Sequence, residues 1–270
     1  MDTLKTRRIL LLLALSVTAF AAADAPPPPC CGAATANSHR SAKQAWPAEA
    51  VIEKGHEEAA HSHLINLLDC NKNLFLLRGN MPEKQGAFDY SGLKSSIKSF
   101  LDGLKMPISD NFKIMDISFL NELLDRDKIA METTWFKAHP ETGCFWLHSL
   151  FGALEDPLSL TPAERIVKAK ESDIDGLKPL MAALHKYVTE GCDKDFVVYI
   201  HCAAGKDRTG EASASYLMQY KKYSYKDAVS LDETIAKRKP HAWSMNAIRW
   251  YAFYLRDVLK MTTVKEIEGQ

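Results

Sequence analysis

The spacing of apolar positions changes several times along this chain, and each change marks an element. Over residues 91–104 they fall at Leu93, Ile97, Phe100, Leu101 and Leu104, the spacing of a helix buried on one face. Lys113–Ser118 reads as a strand, and 121–138 as a helix with Leu124, Met131 and Trp135 on or near one face. Gly143 breaks that helix, and 144–148 reads as a buried strand. Thr161, Pro162 and Glu164 make a helix start: a hydroxyl cap, proline at the first position and an acid in the first turn. Leu177–Glu190 is a further helix, stopped by Gly191. Phe196, Val197, Val198, Tyr199 and Ile200 form an unbroken apolar run, as in a strand buried on both faces. Helical patterns follow at 211–220, 225–237 and 244–261; the aromatic residues Trp243, Trp250, Tyr251, Phe253 and Tyr254 around the last read as core packing. Strands alternating with helices predict an α/β domain with a mostly parallel central sheet flanked by helices.

Ahead of this domain the pattern differs. Lys5, Arg7 and Arg8 precede an apolar stretch that ends among small residues near position 25, the form of a cleaved secretory signal peptide. The apolar run is shorter than the roughly 20 residues needed to span a bilayer, so no transmembrane anchor is expected after cleavage. Residues 26–60 are rich in proline and alanine and read as a linker, leaving 61–265 as the folded domain. The expected location is secreted, periplasmic or within the secretory pathway. His56 and His61 flank two glutamates but stand five apart, so they do not share a helix face as zinc ligands do. The 270 residues carry 34 basic and 34 acidic side chains, a balance that does not point to nucleic acid as a partner. Six cysteines stand at positions 30, 31, 70, 144, 192 and 202; a disulfide among Cys70, Cys144 and Cys192 is compatible with export, with the pairing left open.

The densest chemistry lies where the apolar run ends. His201 and Cys202 are followed by Ala203, Ala204, Gly205, Lys206, Asp207, Arg208, Thr209 and Gly210, and then by the helical pattern. Strand, short loop and helix N-terminus in that order aim unpaired backbone N–H groups at one point, a seat for a phosphate. Gly205 lets the backbone bend, the two alanines leave the bowl open, and Arg208 offers a planar fork matching two phosphate oxygens. The same field lowers the pKa of Cys202, so a thiolate can attack phosphorus and form a cysteinyl-phosphate that water then hydrolyses. Thr209 is placed to donate to the sulfur, and His201 to orient the loop.

This run resembles the HCxxGxxRTG signature of the cysteine-based tyrosine and dual-specificity phosphatase superfamily. Residues 73–82, which include Arg78 and Pro82, are similar to that superfamily's opening strand and turn, and 113–117 to its next strand. The resemblance implies Cys202 as nucleophile, Arg208 as phosphate clamp, the backbone of 203–208 as cradle, and no metal or cofactor. It implies a substrate that is a phosphotyrosine protein or, alternatively, a phosphoinositide or inositol phosphate, which Lys206 would suit. Myotubularins carry an aspartate where Asp207 stands.

The leaving oxygen needs a proton donor. Relatives supply an aspartate from a loop about thirty residues before the cysteine, and here Glu155, Asp156, Glu171, Asp173 and Asp175 lie in that region. Asp156 reads as a turn residue and Asp175 as a helix cap, leaving Asp173 as the better-spaced acid and Asp207 as its rival. A phospho-binding protein without turnover would be expected to lack Cys202, Arg208 or Thr209. A nucleotide-binding loop would need Ser or Thr after Lys206, where Asp207 stands.

Overall fold

The computed structural model describes residues 64–267. The signal, the linker up to residue 60, Cys30, Cys31, His56 and His61 lie outside the described residues.

Among the described residues there are seven strands: β1 (Asn66–Asn71), β2 (Leu74–Asn80), β3 (Glu83–Lys84), β4 (Ala87–Phe88), β5 (Lys113–Ser118), β6 (Gly143–Leu147) and β7 (Phe196–Cys202). Five form one sheet in the order β1-β2-β7-β5-β6, and β3 and β4 form a small ribbon. Within the main sheet β2, β7, β5 and β6 run parallel, and β1 is antiparallel to β2. The predicted α/β architecture holds. The apolar run at 196–200 becomes the central strand β7, buried at every position.

The helices are α1 (Tyr90–Gly103), α2 (Arg126–Ala138), α3 (Pro162–Glu171), α4 (Leu177–Glu190), α5 (Arg208–Tyr220), α6 (Tyr225–Ala236) and α7 (Ala242–Phe253). Alternate residues of β7 serve opposite layers, as the pleat requires. Val197 and Tyr199 pack with Leu93, Ile97 and Leu101 of α1 and Phe136 of α2. Val198, Ile200 and Cys202 pack with α4, α5, α6 and α7.

Helix boundaries follow local chemistry. Thr161 and Glu164 close a reciprocal capping box on α3, with Pro162 inside the first turn. Residues 121–125 are a turn rather than the first turn of α2, because the Asp125 carboxylate takes the Asn121 N–H at 3.0 Å. Past Phe253 the last helix changes to π geometry over Tyr254–Val258 instead of continuing to 261 as one α-helix. Trp250, Tyr251 and Phe253 are buried as expected, whereas Trp243 is 52% exposed. Cys144 on the edge strand β6 and Cys192 after α4 are each disulfide-bonded, while Cys70 and Cys202 are free thiols. Among the described residues no helix is long and apolar enough to cross a membrane.

The register decides where chemistry can occur. Asn80, Cys202 and the Ser118–His201 pair lie at the carboxyl ends of β2, β7 and β5. The turns that leave these strands are tied together: Met81 N–H donates to the Cys202 carbonyl at 2.9 Å and Phe119 N–H to the His201 carbonyl at 2.8 Å. Open parallel sheets bind ligands at this edge.

Candidate active site

Five residues, 203–207, connect β7 to α5. Gly205 has φ +67°, and a Cβ there would stand 2.5 Å from the Gly79 carbonyl oxygen, so both conformation and space require glycine. The Gly205 carbonyl accepts from Arg78 Nη2 at 2.7 Å. Arg78 Nη1 pairs in turn with Asp232 Oδ1 of α6 at 2.5 Å, and both side chains are 1% exposed. A Cβ at Gly210 would meet the Asp232 carboxylate at 2.3 Å, so a small residue in the first turn of α5 lets α6 approach. Arg78 thus joins strand, loop and helix through one guanidinium.

Cys202 sits at the floor of the loop, 2% exposed. Burial pushes its thiol up, but the Arg208 charge, the Thr209 hydroxyl and amide and the His201 charge outweigh burial and bring it below the ordinary thiol value. Thr209 is fully buried. The Arg208 guanidinium is 20% exposed, and its Nη1 donates to the Phe119 carbonyl at 3.0 Å and to Asp125 Oδ2 at 2.8 Å. Ala203 and Lys206 are half-buried and Ala204 is exposed, so the loop has one open side.

The predicted acids occupy different places. Asp207 receives Arg238 Nη1 and Nη2 at 2.8 and 2.7 Å and the His241 N–H at 2.8 Å. Partial burial works against its charge, yet Arg238 and the His241 amide hold the carboxyl below the usual range. Asp173 accepts the Lys178 N–H at 3.1 Å, and burial raises its carboxyl against the pull of Lys178. Asp156 caps the short turn Pro157–Ser159, and Glu155 is paired with Lys168. Glu171 is exposed at the end of α3.

Asp175 does not cap α4, whose N-cap is Gly176. It adopts φ +59°, a strained value for a non-glycine residue, and its Oδ2 takes the Phe151 and Gly152 N–H groups at 2.6 and 2.5 Å. Its carboxyl also bonds to Glu211 in the first turn of α5 and lies in the field of Arg208; burial pushes it up to about 6. Glu211 is fully buried, and burial together with Asp175 raises it well above the usual range. Glu211 and Asp125 carried no signal in the chain beyond ordinary surface charges on helix starts; only the tertiary fold brings them to Arg208.

Residues 162–220, from α3 through the loop to the end of α5, match the tyrosine phosphatase family. Solved structures similar to the chain include kinase associated phosphatase with its catalytic cysteine replaced by serine (12% identity, 76% of this chain, 98% of that one, TM-score 0.42). Others are PTPMT1 in complex with PI(5)P (18%, 72% and 99%, 0.39) and a mouse putative dual specificity phosphatase complexed with zinc tungstate (14%, 68% and 86%, 0.36). No curated protein matches the chain.

Proposed function

We propose, from the premise that this chain belongs to the cysteine-based tyrosine phosphatase superfamily, that it hydrolyses phosphotyrosine in proteins through a cysteinyl-phosphate. One observation carries the reading: a buried thiol at the floor of the loop that opens α5, with Arg208 and Thr209 beside it to favour its charged form. The phosphate sits on the amides of 203–208 with two oxygens on the Arg208 fork. The Cys202 sulfur attacks phosphorus, the bond to the leaving oxygen breaks, and that oxygen takes a proton. Water then displaces the sulfur, and the Thr209 hydroxyl stabilises the departing thiolate.

Three carboxyls compete to supply the proton. Asp207, held as an anion by Arg238, suits a brace for the loop. Asp173 is raised but is tied to the Lys178 amide, and Arg208 is not among the charges that act on it. Asp175, in the field of Arg208 and protonated up to about pH 6, suits the donor best. A donor must keep its proton, so kcat/KM should rise as Cys202 ionises and fall as pH passes about 6. The variants Asp175→Asn, Asp173→Ala and Asp207→Ala separate the roles. The donor's variant loses the descending limb and about 10²–10⁴-fold in rate on a poor leaving group, and we expect that of Asp175→Asn. A retained descending limb in Asp175→Asn rejects the assignment.

Substrate choice is argued from the rim. Leu123 and Leu124, beside Asp125, and Trp243, two residues from His241, are exposed next to groups bonded to the loop, and they suit an aryl phosphate. The second reading, a phosphoinositide or inositol phosphate, is favoured by the half-buried Lys206. Turnover of a phosphotyrosine peptide against phosphoinositides tests the order; a preference for the lipid reverses it. Export is part of the same proposal, since two disulfide-bonded cysteines fit an oxidising compartment. Cell fractionation and N-terminal sequencing of the mature chain test it.

A further inference from the structure

The cysteines of the folded domain divide into two kinds. Cys144, on the edge strand β6, and Cys192, which follows α4, are each in a disulfide, whereas Cys70 and Cys202 are free thiols. Cys144 stands in register with Met115 of β5. Cys192 lies beside the β1–β2 turn: a Cβ on Gly191 would stand 3.5 Å from the Asn71 carbonyl oxygen, and the Asp193 carbonyl accepts from the Asn73 side chain at 3.0 Å. From β2 across β7 and β5 to β6 the sheet runs three strand intervals, roughly 14 Å. A disulfide holds its two Cα atoms only about 4.4–6.8 Å apart. Cys144 and Cys192 are therefore not partners of one another. Of the six cysteines in the chain, Cys30 and Cys31 remain.

We propose that Cys30 and Cys31 are those partners, one bonded to Cys144 and the other to Cys192, so that the segment ahead of the domain is strapped to it at two points. Neighbouring Cα atoms are about 3.8 Å apart, so two disulfide spans and one such step reach about 17 Å. That reach covers the roughly 14 Å between the two sites. Each bond forms by thiol–disulfide exchange with an oxidising disulfide, either glutathione disulfide or that of a protein dithiol oxidant. One cysteine thiolate attacks the oxidant's disulfide, and the second displaces the mixed disulfide. Two thiols lose two protons and two electrons, and the oxidant departs as two thiols. The other cysteines stay out of this exchange. Burial, with Asp69 adding to it and Lys221 opposing, pushes the Cys70 thiol up to about 11, so little of it is thiolate at neutral pH. Cys202 ionises more readily but is 2% exposed at the carboxyl end of β7. Val198, on the row of Met115 and Cys144, stands four residues before it, roughly 13 Å along the strand. The domain thus closes its disulfides away from its nucleophile. The inference deepens the export reading and rests on it for an oxidising compartment, yet its test needs neither export nor turnover.

The test is a disulfide map of the full chain. The purified protein is equilibrated in a glutathione redox buffer, alkylated in denaturant with iodoacetamide, and digested with trypsin without reduction. Cleavage after Arg40, Arg165, Lys186 and Lys194 separates the peptide that carries both Cys30 and Cys31 from those of Cys144, Cys192 and Cys202. Mass spectrometry should find one three-peptide species, in which the Cys30 and Cys31 peptide is joined to the Cys144 peptide and to the Cys192 peptide. Alkyl groups should stand on Cys70 and Cys202 and on none of the other four cysteines. Non-reducing electrophoresis should show a monomer. A two-peptide species joining Cys144 to Cys192, an alkylated Cys30 or Cys31, or a covalent dimer overturns the proposal. Cys30→Ser gives a second measurement: it should add one alkylated thiol, at Cys144 or at Cys192, and no new label at either position also overturns the proposal. A chain that fractionation finds in a reducing compartment would count against export and leave this pairing standing.

Discussion

Arg208 and Gly205 do different work in one loop, and their replacements should fail differently. Lysine at 208 keeps a positive charge but loses the planar fork that grips two oxygens and reaches Asp125 and Phe119. Arg208→Lys should lower kcat/KM by about 10²–10³-fold, with little change in thermal midpoint. Steady-state kinetics and a melting curve check both halves. Gly205→Ala forces a side chain into left-handed backbone and against Gly79. It should cost about 1–3 kcal/mol of stability as well as activity, measured by denaturant unfolding. The strand, loop and helix start around Cys202–Thr209 could be read from the chain, because an apolar run, Gly205 and a helical pattern mark them in turn. Arg78 was visible only within a similarity of pattern, and its bonds to Gly205 and Asp232 emerge from tertiary structure.

At the scale of elements the loop is held by partners distant in sequence. Removing one member of a buried ion pair strands the other, so Asp232→Asn should cost about 3–5 kcal/mol and detach α6 from the loop; chemical denaturation reads the loss. The Asp175–Glu211 pair joins the 151–152 turn to α5. Its pH effect follows from the direction of the shift. Asp175 is raised from 3.8 to about 6, so the folded state binds its proton more tightly than the unfolded chain does. The stabilisation is full below the unfolded value and is lost as pH rises through about 6. Asp175→Asn removes that titration, so the pH trend of the unaltered protein minus that of the variant should fall across this window; melting curves at pH 4–7 measure it. Periodicity located most elements well, since Lys113–Ser118 and Leu177–Glu190 are found with the predicted bounds. It missed β1, a partly buried strand of mixed pattern, and extended α2 into a turn that Asp125 closes by a side-chain bond. It also gave Asp175 to the nearest helix, because a local rule cannot anticipate amides twenty-three and twenty-four residues away.

For the molecule as a whole, the parallel sheet gathers the ends of β2, β5, β6 and β7 along one edge and so assembles a site from segments that are distant in the chain. The sheet could be expected from alternating strands and helices, but its strand order could not. That order sets Asp116 and Glu132 behind His201, one from each of two elements with no chemical motif of their own. The balance of 34 positive and 34 negative charges conceals an uneven interior, in which carboxyl groups lie buried near one cysteine. A thiol of this kind outside a reducing compartment is open to oxidation. Peroxide should therefore inactivate the enzyme reversibly, and orthovanadate should protect it; inactivation unaffected by vanadate would place the oxidised group elsewhere.

The most direct measurement is capture of the intermediate. The protein is mixed with a labelled aryl phosphate, quenched in acid within milliseconds, digested and mapped by mass spectrometry. Phosphate on the peptide containing Cys202, absent from Cys202→Ser, is the result the account predicts. Turnover with no label on that cysteine would contradict it.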